Sequence, residues 1–309
     1  MSRGIVFVRN LLSTGLIGFV MVAFMCGISL GADSLTTAWK RSLSIDVTTT
    51  QTAYSDAWVG GEAGSFNWAA NLNGSAEKQF SEAVNGRSTL KLSFGQTMTQ
   101  DEKTRNWSKP RKSTDLIDWE NVARLTLKKF FDPYAAIRLE SQFFVPLNDS
   151  QKAYLSPLKL TESAGLAKRL YVKDKDQILS RLGFAAQQIF TKTSDTTPAS
   201  KGKVLDSTLT YGGIESVTEA NLTLSQRVHY LGKIGLYKAL FFSKKKEVQG
   251  TPQENDWKAV DINWENIVNV SVSKVIAVNL YTQLLYDKEI SAKGRFKETL
   301  ALGLVFRMI

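Results

Sequence analysis

The sequence predicts an all-β fold: a transmembrane antiparallel up-and-down β-barrel of about twelve strands, following a cleaved signal peptide. Three observations predict it. Beyond the N-terminal segment, apolar residues recur with period two rather than 3.6, in runs of about 11 to 17 residues. Such runs are longer than the strands of a soluble sandwich and long enough to cross hydrocarbon at a tilt. The connections between runs alternate long and short, as external loops and periplasmic turns do. Finally, the chain opens with an export signal and then offers no second apolar run from which a membrane helix could be built.

The export signal is read from its order of parts. Arg3 and Arg9 form a positive front, Leu11 to Ile28 is an apolar block without a charge, and "SLGAD" supplies small residues for cleavage near Gly31 or Ala32. Residues 1–32 are therefore expected to be a signal peptide and 33–309 the barrel. An uncleaved membrane anchor is the alternative for the same block. Lipidation at Cys26 is disfavoured because Met25 is larger than the small residue wanted before a lipidated cysteine. Cys26 is the only cysteine, so the exported part carries no disulfide and depends on backbone pairing and burial.

The 309-residue chain has a formal net charge of +10, and removal of Arg3 and Arg9 leaves about +8. A basic balance suits nucleic acid or anionic lipid, and export excludes the first. Lys and Arg are scattered, with "SKKKE" (Ser243–Glu247) the one basic run, a solvated loop or a contact with lipid head groups.

In chain order, strands are expected near 41–53, 65–80, 86–100, 113–130, 134–146, 155–171, 178–191, 207–226, 230–243, 257–273, 275–287 and 296–306. The first alternates Leu43, Ile45 and Val47; the second Phe66, Trp68, Ala70 and Leu72; the third Leu90, Leu92 and Phe94. The fourth alternates Ile117, Trp119, Asn121, Ala123, Leu125 and Leu127, and the fifth continues through Ile137, Leu139, Phe143 and Val145. Near the C-terminus, Ile262, Trp264, Val268 and Val270 answer Ile276, Val278, Leu280 and Leu284, and Leu300 to Phe306 closes the series. The long connections are 54–64, 101–112, 147–154, 192–206, 244–256 and 288–295, rich in Gly, Ser, Asp, Lys and Pro.

One motif occurs twice. "DLIDWENVARLTLKK" begins at Asp115, and "AVDINWENIVNVSVSK" begins at Ala259. Each opens a hairpin that descends from an external loop into lipid. Parity sends Trp119 and Trp264 to the lipid face near the outer rim, as an aromatic girdle. It sends Glu120 and Glu265 to the lumen. Asn121 and Asn266 share the outward parity, which a rim position or a bulge would relieve.

At this point the chain resembles a known family. "YSDAWVGGEAGSFNWAANLNG", "LSP" at Leu155–Pro157, and "DINWENIVNVSVSKVIAVNLYTQLLYDKEI" followed by "FKETLALGLVF" are similar to the domain-of-unknown-function 3078 (DUF3078) barrels, exported proteins mostly of Bacteroidota-like bacteria. The resemblance implies an outer-membrane β-barrel with no established biochemical activity. Such barrels usually end on an aromatic residue that the barrel-assembly machinery reads. Here Phe306 is followed by Arg307, Met308 and Ile309, so Phe306 or Ile309 is expected to serve.

Parity points Glu120, Arg124, Lys128, Arg138, Glu140, Glu265 and Asp287 into the lumen, with Glu120 expected to pair with Arg124 or Arg138. Such pairs either brace the wall or form a constriction that selects small polar solutes. Catalysis has little to build on: His229 is the only histidine, and Ser225 is its one nearby nucleophile. No His/Cys spacing suits a metal, and no cofactor is expected. The function expected is a bacterial outer-membrane barrel that passes or binds a small polar solute. A non-conducting structural or adhesive barrel is the alternative, and a barrel hydrolase or an exported soluble sandwich stands behind both. The expected partners are outer-membrane lipid, the assembly machinery and that solute, with no nucleic acid.

Overall fold

The structure is a computed structural model. It describes residues 38–54, 63–127, 129–148, 151–195, 203–273 and 276–308, the last five as backbone only. The expected signal peptide, Ile309 and the side chain of Phe306 lie outside these residues.

The strands are β1 (Lys40–Thr52), β2 (Ser65–Gln79), β3 (Val84–Thr99), β4 (Arg111–Leu125), β5 (Asp132–Ser141), β6 (Phe144–Pro146), β7 (Lys152–Tyr154), β8 (Leu158–Lys173), β9 (Asp176–Ser194), β10 (Val204–Thr223), β11 (Val228–Phe242), β12 (Val260–Ser271), β13 (Ile276–Tyr286) and β14 (Arg295–Met308). Among the described residues, twelve of them form one closed ring in the order β1-β14-β13-β12-β11-β10-β9-β8-β5-β4-β3-β2. Every pairing is antiparallel, and the seam is made by β1 on β14, with Ile45 opposite Phe306 and Val47 opposite Leu304. Closure leaves the ring with no edge strand, as hydrocarbon requires of a sheet.

The connections alternate as expected. At one end β8 and β9 are joined by Asp174 and Lys175 alone, with Asp174 at φ 52°, a conformation Asp tolerates better than most residues. At the other end, residues 142–157 and 243–259 span the gaps after β5 and β11. The basic run folds there as a single helical turn, α1 (Lys245–Val248).

Two expected boundaries are corrected. β5 stops at Ser141 rather than running to Pro146, because Phe144–Pro146 pairs with Lys152–Tyr154 in a separate small hairpin, β6–β7. The buried Asp115 carboxylate holds that hairpin by accepting the Phe143 N–H at 2.6 Å and a bond from Lys112 Nζ at 3.0 Å. β4 stops at Leu125, where Leu127 N–H turns to Asp132 Oδ1 at 3.0 Å.

The exterior is apolar. Leu166 lies opposite Leu182, Phe184 opposite Ile214, and Leu280 opposite Leu300, and Phe184 is 73% exposed. A continuous apolar jacket of this extent needs lipid rather than water. Aromatic side chains mark both rims. Trp68, Phe94, Phe143 and Phe144 cluster toward the long loops. Trp39 and Phe80 meet at the short turns with Lys78 over both rings, and Lys168 lies over Phe130. Aromatic rings with basic neighbours suit the head-group boundary. The closed, jacketed ring is thus a transmembrane barrel of the outer-membrane type.

β8 and β9 approach most closely at a pair of glycines. Gly165 stands opposite Gly183, and a Cβ built on either would fall on the facing strand's carbonyl oxygen, Leu182 O or Ala164 O. Only paired glycines let the two backbones approach this closely. Replacing Gly183 by Val is expected to cost about 1–3 kcal/mol, read as a lower urea midpoint for the loss of heat-modifiable gel migration; unchanged migration and midpoint would refute the close approach.

Candidate functional site

The lumen is where this barrel gathers its charged side chains. In the half of the bore toward the short turns, β3, β4, β9, β10 and β11 each contribute one charged residue to a single mesh. Arg181 Nη2 lies 2.6 Å from Glu120 Oε1 and 3.7 Å from Glu219 Oε1. Lys233 Nζ lies 3.0 Å from Glu120 Oε2 and 3.6 Å from Glu219 Oε1. Arg87 completes it by bonding Glu219. Arg181 is 2% exposed and Glu120 5%, so these ions are withdrawn from water and rely on one another.

The mesh spans the bore. From β10 to β3 the ring passes through β9, β8, β5 and β4, so Arg87 and Glu219 belong to nearly opposite walls. Lys233 on β11 and Glu120 on β4 are equally far apart around the ring. A further bridge, Lys91 Nζ to Glu265 Oε2 at 2.9 Å, joins β3 to β12 by the other way round. Apolar clusters fill space on either side: Val122, Tyr134, Ala136, Ala167 and Leu179 toward the short turns, and Tyr211, Tyr237, Phe242 and Trp257 toward the long loops.

Arg138 behaves differently from expectation. It grips Asp118 with two bonds of 2.8 Å and reaches Glu140 Oε1 at 3.1 Å. The register explains this: Asp118 and Glu140 stand directly opposite, and two facing carboxylates need a cation between them. Glu120 therefore pairs with neither Arg124 nor Arg138, but with Arg181 and Lys233. Arg124 lies beside Asp132 at 3.8 Å, with its Nε lacking a hydrogen-bond partner among the described residues. Lys128 lies outside the described residues. Asp287 opens the connection after β13, its Oδ1 accepting the Glu289 N–H at 3.0 Å. Glu289 in turn accepts from Tyr211 Oη at 3.0 Å. Burial pushes the Glu289 carboxyl above its ordinary value and Asp287 and Asp256 add to the push, against that hydrogen bond.

Both tryptophans of the repeated motif point outward, Trp119 at 43% and Trp264 at 46% exposure. Trp119 Nε1 donates to Ser88 Oγ at 3.1 Å. Asn266 sits in an unbroken stretch of β12 rather than at a bulge. It is relieved instead by lipid-face hydrogen bonds, accepting from Tyr230 Oη at 2.7 Å and donating to Thr282 Oγ1 at 3.4 Å. His229 is the second residue of β11, with Nδ1 3.5 Å from Thr223 Oγ1.

Sequence reasoning missed Arg87, Lys91, Asp118, Arg181, Glu219 and Lys233. The signal was present for some of them. Lys91 lies between Leu90 and Leu92, and Arg181 precedes Leu182 and Phe184 at opposite parity, so alternation alone turns both inward.

The other wall of the lumen carries amides and hydroxyls between its charged groups Asp46, Lys91, Glu265 and Lys297. Asn71, Ser93, Asn263, Asn279 and Gln283 line it, tied by bonds such as Gln283 Nε2 to Asn263 Oδ1 at 3.0 Å and Ser93 Oγ to Asn71 Oδ1 at 2.5 Å. These inward-facing groups are only half buried, whereas Thr161, Ser163, Arg181 and Gln187 on the β8–β9 wall are buried.

Residues 49–145 match the model of a family described as protein of unknown function (DUF3078), which bears out the family resemblance over that stretch. No curated protein sequence matches the chain. Among solved structures, the chain is similar to an outer membrane channel from Pseudomonas putida F1, with 12% identity and a TM-score of 0.41, covering 91% of this chain and 97% of that one. It is also similar to the translocator domain of autotransporter NalP from Neisseria meningitidis, with 8% identity and a TM-score of 0.36, covering 99% of each chain.

Removing one member of the mesh leaves buried charge uncompensated. Glu120→Gln is expected to destabilise the barrel by about 3–5 kcal/mol. Glu140→Gln is expected to cost clearly less, because Glu140 is more exposed and Arg138 keeps Asp118. Denaturant midpoints of the refolded variants in detergent check the order; equal losses would show that Glu120 carries no special role.

Proposed function

We propose that this barrel passes or binds a small polar solute along the amide-lined side of its lumen, with the ion-pair mesh setting the narrowest point. The observation that carries this reading is the difference between the two walls. Inward-facing Asn71, Ser93, Asn263, Asn279 and Gln283 stay partly exposed, whereas Thr161, Ser163, Arg181 and Gln187 on the β8–β9 wall are buried. Amides and hydroxyls there can exchange hydrogen bonds with a passing solute as readily as with one another.

The charged lining supports the same reading. A barrel needing only rigidity would be served as well or better by apolar packing, since replacing buried ion pairs with well-packed apolar groups is often neutral or stabilising. Charges of both signs held across a bore suit instead a constriction that sorts solutes by charge and size. Nothing in this reading calls for a catalytic residue, and we assign none.

A non-conducting structural barrel is the second reading, favoured by the reach of Arg87 to Glu219 and Lys233 to Glu120 across the bore. Swelling of proteoliposomes by sugars and amino acids of graded size separates the two. We expect slow, size-limited entry in the wild type and several-fold faster entry in R87Q/E219Q, where a salt bridge becomes two neutral amides, at the order of magnitude usual for widened pores. If neither protein admits any solute, the passage is lost and the structural reading stands.

A further inference from the structure

Cations and carboxylates are interleaved in the ion-pair mesh, but not at the long-loop mouth. Glu215 on β10 stands opposite Tyr237 on β11, and Tyr237 stands opposite Asp261 on β12. Asp287 follows Tyr286, which pairs with Ile262, and so lies beside Asp261. Glu289 joins them through Tyr211. Among the described residues, no Lys or Arg lies within ion-pair distance of any of these four carboxylates. The nearest lysines stand farther off: Lys288 Nζ bonds Asp256 at 3.0 Å, Lys159 Nζ lies 3.9 Å from Glu140, Lys258 Nζ lies over the Trp257 ring at 5.5 Å, and Lys159 and Lys238 act on Asp261 only from beyond ion-pair distance.

A second observation is independent of charge. Tyr237 Oη and Trp257 Nε1 are buried hydrogen-bond donors without an acceptor among the described residues, in side chains only 6% and 7% exposed. Buried donors left without acceptors are costly, so their retention points to an acceptor supplied from outside. Around them is an aromatic wall: Tyr211 stacks on Phe242 at 4.6 Å, and Phe242 meets Trp257 at 6.0 Å. Aromatic faces beside carboxylates attract cations. No group of three His, Cys, Asp or Glu among the described residues is gathered closely enough to hold a metal ion. Spread carboxylates over aromatic rings suit a cation carried on a carbon frame.

We propose that the long-loop mouth binds an organic cation bearing a hydrogen-bond acceptor, its ammonium set among Glu215, Asp261 and Asp287 and its acceptor reached by Tyr237 Oη or Trp257 Nε1. This rests on the reading of the lumen as a solute passage, and it gives that solute a positive charge.

The test is calorimetric titration of the refolded full barrel in maltoside detergent with choline, and with its uncharged isostere dimethylbutanol. Choline is expected to bind at least about tenfold more tightly than the isostere, the scale of one desolvated cation–π or charge contact. D261N/D287N and Y237F are each expected to weaken choline binding while leaving heat-modifiable migration intact. Equal affinity for choline and the isostere, or no choline binding, would overturn the site, and so would one-to-one displacement of choline by calcium. The wild-type comparison decides even if the double variant does not fold. Choline binding without solute flux in proteoliposomes retires the passage alone. Flux without any preference for choline retires the site alone.

Discussion

Every backbone N–H and C=O that enters hydrocarbon must find its partner inside the protein, and this constraint governs the rest of the molecule. The chain meets it with strands, and strands in lipid are satisfied only when the first pairs with the last. The β1–β14 seam is therefore the contact on which the remaining features depend. Once the ring is closed, side chains have two destinations, and alternation assigns them. Trp119, Phe184 and Leu300 go to the jacket; Glu120, Arg181 and Glu265 go to the bore. Charge inside and apolar surface outside are two consequences of one geometry.

The bore is then divided by which walls carry charge. β4 and β8 to β11 bring buried ions and apolar clusters and pack against one another. β12 to β14 and β1 to β3 bring mainly amides and hydroxyls that stay half exposed. Arg87 reaches from the second group to Glu219 on β10, whereas Lys91 bridges β3 to Glu265 on β12 within the second group. The paired glycines at Gly165 and Gly183 belong to the filled side: without Cβ atoms there, the β8 and β9 backbones come close enough that a side chain on either would meet the other strand's carbonyl oxygen.

Much of the fold was legible in the sequence because a transmembrane barrel writes its constraint at period two. Val260–Ser271 and Ile276–Tyr286 alternate cleanly, and their strands fall within a few residues of the expected ranges. What could not be read has physical causes. Bulges add a residue that alternation does not register, as between Gly95 and Gln96. The β6–β7 hairpin continues the apolar rhythm of β5 through Phe143 and Val145, yet belongs to a loop pinned by Asp115. The partners inside the lumen were less legible still. Parity says that Glu120 points inward, but which cation it meets depends on the curvature of the ring, which brings Arg181 and Lys233 near and leaves Arg138 to the opposed pair Asp118 and Glu140.

The mesh also bears on the order of assembly. Glu219 and Arg87 are separated by 132 residues, and Lys91 and Glu265 by 174. The shorter way round from Lys91 to Glu265 crosses the β1–β14 seam, so these two stay far apart while the sheet is an open ribbon, whereas Arg87 and Glu219 lie on strands joined through β4, β5, β8 and β9. A chain stalled before closure would hold Lys91 and Glu265 as separate solvated charges that the surrounding acyl chains cannot accept.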